Sequence, residues 1–207
     1  WQYQNMRCEA CHEASQLHGP GFTLETRYDD NKPVLPKCEE CHADARDDEE
    51  NKFHVQHWAG GEDNPGSSHL QCQVCHSQDY KNCNGCHVGG AGIESPSYMK
   101  FKIGKNPLQS TEKPYDYVVV RHIPIAPDTY ANWGVNDLPN FDDEPTWKYA
   151  TPHNIRRFTA RTDTTGLFWK NCHNDLVAVL DTYLRTEDTQ DPAYDEEPNK
   201  DVVIPTN

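Results

Sequence analysis

Leu70-Gln71-Cys72-Gln73-Val74-Cys75-His76-Ser77, followed shortly by Cys83-Asn84-Gly85-Cys86-His87, is the stretch on which the organisation of this chain turns. It holds the pentapeptide C-x-x-C-H twice. The same pattern stands upstream as Cys8-Glu-Ala-Cys11-His12 and Cys38-Glu-Glu-Cys41-His42. With 9 cysteines and 11 histidines in 207 residues, chance supplies about 0.02 such pentapeptides, so four are a built feature. Two sulfurs three residues apart on one short turn can form thioethers to the two arms of a porphyrin, and the adjacent imidazole then meets its iron from one side. The expected cofactor is therefore four covalently bound haem c. Cys8, Cys11, Cys38, Cys41, Cys72, Cys75, Cys83 and Cys86 form the thioethers, and His12, His42, His76 and His87 are the proximal ligands. Zinc held by paired C-x-x-C units is the competing reading. It accounts neither for the uneven separation of the pairs nor for the histidine after every one.

Composition agrees with a chain that folds around something. Hydrophobic residues make up 35% of it, about 41% with the 12 glycines added, against roughly 45–50% in ordinary globular domains. The 15 prolines and 12 glycines are near average usage and do not mark low complexity. The expected fold is mostly irregular: loops and short helices wrapped around a stack of four haems, with a few short strands and one C-terminal helix. A net charge of −14 repels phosphate backbones and anionic lipid, which argues against nucleic acid and against polybasic membrane docking. No apolar run approaches the roughly 18 residues needed to span a bilayer. Haem attachment takes place outside the cytoplasm, and the sequence opens at Trp1 without a basic and apolar leader. An exported mature chain is expected, extracellular or at the cell surface, with the periplasm as the alternative.

Seven histidines remain after the proximal four, and four are needed for six-coordinate iron. Two methionines, Met6 and Met99, disfavour Met/His ligation, so bis-histidine iron is expected throughout. His18 follows His12 by six residues, at most about 20 Å of extended chain, and fits the distal side of a different haem better than that of its own. His54 and His57 are three apart and project from one side of a helix, able to serve two neighbouring haems. His69 stands just before the third motif, with the first, second or fourth iron in reach. His122 ends a β-branched run and shares a face with Val118 and Val120; ligation and a hydrogen-bonded core histidine are both open for it. His153 and His173 rank last. Cys172, in Trp169-Lys-Asn-Cys172-His173, is a vestige of a fifth motif, a single-thioether haem site or a small buried residue.

All four motifs fall within 8–87, which divides the sequence into a tetrahaem-binding region at 1–99 and a haem-free region for packing and inter-subunit contact at 100–207, the two expected to form one continuous structural unit. Tyr115–Ile125 reads as a strand, and Pro127–Pro152 as ordered loop. Asn174 is a good N-cap, and Leu176, Val179, Leu180, Tyr183 and Leu184 predict a helix ending near Arg185. The acidic tail from Thr186 carries one apolar patch, Val202-Val-Ile-Pro205, and reads as solvated or as an arm that docks on a neighbour. The acidic run Glu39–Glu50 reads as a solvated face that could also lower haem potentials.

Four fully ligated haems leave one-electron exchange as the available chemistry, so an electron carrier is expected rather than an enzyme. An oxyanion reductase would need one five-coordinate haem, and a monomeric periplasmic shuttle would use the same sites without assembling. The four N-terminal motifs, with Val118-Val-Val-Arg-His-Ile-Pro-Ile125 and Pro145-Thr-Trp-Lys-Tyr-Ala-Thr-Pro-His-Asn154 in the haem-free half, resemble the extracellular multihaem cytochromes that polymerise into microbial nanowires, particularly the tetrahaem members. That resemblance implies head-to-tail assembly of copies of the chain into a filament with a continuous haem path. It also implies trans ligation, for which His18 is the best match, and onward transfer to other cytochromes or extracellular acceptors.

Overall fold

The computed structural model describes residues 7–13, 21, 28, 36–45, 50–58, 69–81, 98–99, 101–123, 126–141, 143, 145–162, 182–189 and 197–205. The fourth motif (Cys83, Cys86, His87), His18, Cys172, His173 and most of the expected C-terminal helix lie outside these. The chain forms two compact units, Trp1–Ser67 and Ser68–Asn207. Motif counting divides the sequence at 99/100 instead; the earlier structural division arises because the third motif is built into the fold of the haem-free half.

In the first unit the described elements are single turns and one short helix. Cys8–Ala10, Cys38–Glu40 and Ala43–Ala45 are 3₁₀ turns, and Lys52–Trp58 forms α1. Asn51 starts α1 by accepting the Phe53 and His54 N–H groups at its side-chain oxygen, 3.2 and 3.4 Å, which satisfies donors that a helix N-terminus leaves over. Among the described residues of this unit none is buried.

The second unit is organised by an antiparallel sheet of Phe101–Lys105 (β3), Tyr117–His122 (β4) and Trp147–Tyr149 (β5), in the order β3-β4-β5. Before it in the chain, Tyr80–Lys81 (β1) pairs with Tyr98–Met99 (β2). Ile103 stands opposite Val119, and Val120 opposite Tyr149. The strand expected in 115–125 is thus present as Tyr117–His122. Val118, Val119 and Val120 are all fully buried, as a strand covered on both faces requires. Val119 packs with Val74, Phe101, Ile103 and Ala150. On the other face, Val202 lies beside Val120 and Gly104.

Three expectations change here. Pro127–Pro152 is not loop throughout, since Trp147–Tyr149 is a strand too short to betray itself by alternation. Tyr183–Arg185, the expected end of a helix, is extended: Tyr183 bridges Ile103, and the Leu184 N–H donates to the Ile103 carbonyl at 2.8 Å. Leu184 is buried there, so the open edge of β3 outweighs helical spacing. The tail patch is neither solvated nor available to a neighbour, because Val202 and Val203 are buried and the Lys105 N–H donates to the Val202 carbonyl at 2.8 Å. Asn199, also buried, holds the tail to β5 by accepting the Trp147 N–H at 3.0 Å and donating to Thr146 Oγ1 at 3.2 Å.

Gly104 makes the close approach possible, since a Cβ at this position would stand 2.8 Å from the Val202 carbonyl oxygen. Gly104→Ala is expected to destabilise the second unit by about 1–3 kcal/mol, measured as a lowered denaturant midpoint at unchanged slope.

Candidate haem-attachment sites

Each of the three described motifs is wound into one turn. In the second, the Cys41 and His42 N–H groups both donate to the Cys38 carbonyl, at 3.2 and 3.0 Å. In the first, the Ala10 N–H donates to the Arg7 carbonyl at 3.0 Å. The third, Cys72–His76, is a five-residue α-helix, α2. Sulfurs at i and i+3 on such a turn share one side, as two thioethers to one ring require. Cys11, Cys38, Cys41, Cys72 and Cys75 are thiols rather than disulfide partners.

The third motif is the most fully described. At its start Gln71, 1% exposed, spends its whole side-chain amide on the sheet. Its Nε2 donates to Tyr149 Oη at 3.1 Å and to the Ala150 carbonyl at 3.0 Å, and its Oε1 accepts the Val119 N–H at 2.8 Å. At the other end, the carbonyls a helix leaves over are taken up one after another. The Gln73 carbonyl accepts the Ser77 N–H and hydroxyl at 3.0 and 2.6 Å. Val74 accepts Arg161 Nη1 at 2.8 Å, and Cys75 accepts the Thr159 hydroxyl. His76 accepts the Arg156 N–H at 2.8 Å. A second Arg161 bond, Nη2 to the Phe101 carbonyl at 3.0 Å, ties the same guanidinium to β3.

His76 completes a reciprocal clamp, its ring Nδ1 lying 3.1 Å from the Arg156 carbonyl. A backbone carbonyl only accepts, so Nδ1 carries the proton and Nε2 keeps the lone pair that binds a metal. Holding Nδ1–H on a carbonyl is how a histidine that ligates through Nε2 is commonly fixed. The donor chemistry of Cys72, Cys75 and His76 therefore fits a c-type haem. Among the described residues no group of three or more His, Cys, Asp or Glu side chains is placed to hold a metal ion.

The remaining expected ligands are placed separately. His54 and His57 are both half-buried on α1. The His69 N–H donates to Asp116 Oδ2 at 3.0 Å, with its ring Nδ1 3.8 Å from the same oxygen. The His122 ring stacks on Trp147, 4.9 Å between centroids and 19° between planes. His153 is exposed. Gln71, Arg156, Thr159 and Arg161 were not singled out from the sequence. They belong to no motif, and their parts depend on contacts spanning 48 to 87 residues.

Among the described residues no helix is long and apolar enough to cross a membrane. No protein-family model, curated protein or solved structure matches the chain, so the sites rest on their own geometry.

Gln71→Leu keeps volume but leaves the buried Val119 N–H without its acceptor, and Tyr149 and Ala150 without their donor. It should cost about 2–4 kcal/mol, read by chemical denaturation.

Proposed function

We propose that the chain is a tetrahaem c-type cytochrome that carries electrons over long range through closely spaced bis-histidine haems and polymerises into an extracellular conductive filament. The observation that carries this reading is the His76 clamp, in which the imidazole of a C-x-x-C-H turn is held with its Nδ1–H on the Arg156 carbonyl. Bound at such sites, haem supplies one-electron exchange between ferric and ferrous iron. Cys72 and Cys75 tether the ring, and His76 holds the iron from one side. Gln71, Arg156, Thr159 and Arg161 keep that turn from unwinding. That no described residue of the first unit is buried is what the composition leads one to expect of a region whose apolar bulk comes from cofactors. The filament part of the reading rests on the resemblance of the haem-free half and on the supply of histidines beyond the proximal four.

Intact-mass measurement of the protein from a cell competent in cytochrome maturation should show the mass of four macrocycles, and Cys72→Ala with Cys75→Ala should remove one of them. Unmodified mass would overturn the assignment. Electron microscopy of the native material should show unbranched filaments that His18→Ala converts to short or single particles; a wild type with four haems that stays monomeric would leave the shuttle.

A further inference from the structure

The three described motifs differ in the charge built around them. Between the two cysteines the first carries Glu-Ala, the second Glu-Glu and the third Gln-Val. The second continues into Asp44, Asp47, Asp48, Glu49 and Glu50. The third is gripped instead by a segment with three guanidiniums, Arg156, Arg157 and Arg161, in a chain where 19 basic residues face 33 acidic ones. Arg161 is half-buried and fixed on the Val74 and Phe101 carbonyls at 2.8 and 3.0 Å, while Arg156 and Arg157 are exposed. The nearest carboxylate in sequence, Asp79, has one oxygen committed to the Phe101 N–H at 3.0 Å.

Resting on the haem reading above, we infer that the third motif holds the highest-potential haem of the set and that Arg161 is the residue that sets it apart. Iron loses a unit of positive charge on reduction, so a nearby cation favours the ferrous form and nearby carboxylates favour the ferric form. A half-buried guanidinium acts through less water than the exposed pair and is screened less by salt. Its two carbonyl bonds keep it on the motif, and its charge is permanent. The fourth motif has Asn-Gly between its cysteines and no charged residue from Cys83 to His87; the cation before it is Lys81, a lysine rather than a guanidinium. Electrons entering the set therefore come to rest on the third site, while the carboxylates keep the second low; at the first, Glu9 is set against Arg7, 3.7 Å away.

Spectropotentiometry of the holoprotein tests this, with haem count by intact mass taken on every variant. Arg161→Gln should lower the highest of the four midpoint potentials three- to tenfold in the ferric–ferrous equilibrium, about 30–60 mV for one electron, and Arg161→Lys should restore most of it. Glu39→Gln with Glu40→Gln should raise one of the lower midpoints and leave the highest in place. If Arg161→Gln does not fold, Arg156→Gln with Arg157→Gln should lower the same highest midpoint by a smaller amount that vanishes at high salt. Four haems with the highest midpoint unmoved by the arginine variants, or moved by the glutamate pair, would overturn the inference alone. A wild type without haem would overturn the function on which it rests.

Discussion

A five-residue helix leaves nearly all of its backbone end groups without intrahelical partners, and nucleating so short a turn is unfavourable in isolation. Cys72–His76 therefore exists as a helix because Gln71 fastens its start to the sheet and the segment from Arg156 to Arg161 accounts for its terminal carbonyls. The sheet in turn is registered by the buried valines of β4 and by the C-terminal strands laid on the edge of β3. Local order at the motif is thus borrowed from tertiary structure, and the side chain that gains most from it is the His76 imidazole.

The two units solve the shortage of apolar residues differently. In Ser68–Asn207 the β-branched and aromatic residues are concentrated enough to enclose a small core around Val119, and buried polar groups such as Gln71 and Asn199 are matched with partners. The described part of Trp1–Ser67 consists of turns and one short helix, none of whose residues is buried. A turn of this kind needs a rigid object to fold against, and the proposed porphyrins would be that object. The charge pattern differs as well, with Glu39 and Glu40 at the second motif and Arg156, Arg157 and Arg161 at the third.

What was legible in the sequence was what local rules control. The three described pentapeptides showed as turns because i, i+3 spacing is a local property, and the strand Tyr117–His122 showed because three consecutive valines need cover on both faces. The extended path of Tyr183–Arg185 did not show, because helical spacing there competes with an unsatisfied strand edge that only the fold creates. The tail patch Val202–Ile204 was misread for a related reason, since its apolar residues are paired by β3 and Gly104 from about a hundred positions upstream. Gln71, Thr159 and Arg161 carry no local signature at all.

The His76 ring and the Arg156 carbonyl are 80 residues apart in the chain, and closing a loop of that length carries an entropic cost of about 4 kcal/mol. Such a contact forms late in folding, after the nearer pairings that make it worthwhile. On a chain that emerges from its N-terminal end, Cys72 and Cys75 are consequently presented on slack polypeptide before the downstream grip arrives. Chemistry at those thiols would then meet an open substrate, and the turn that carries them is locked afterwards by residues from far along the chain.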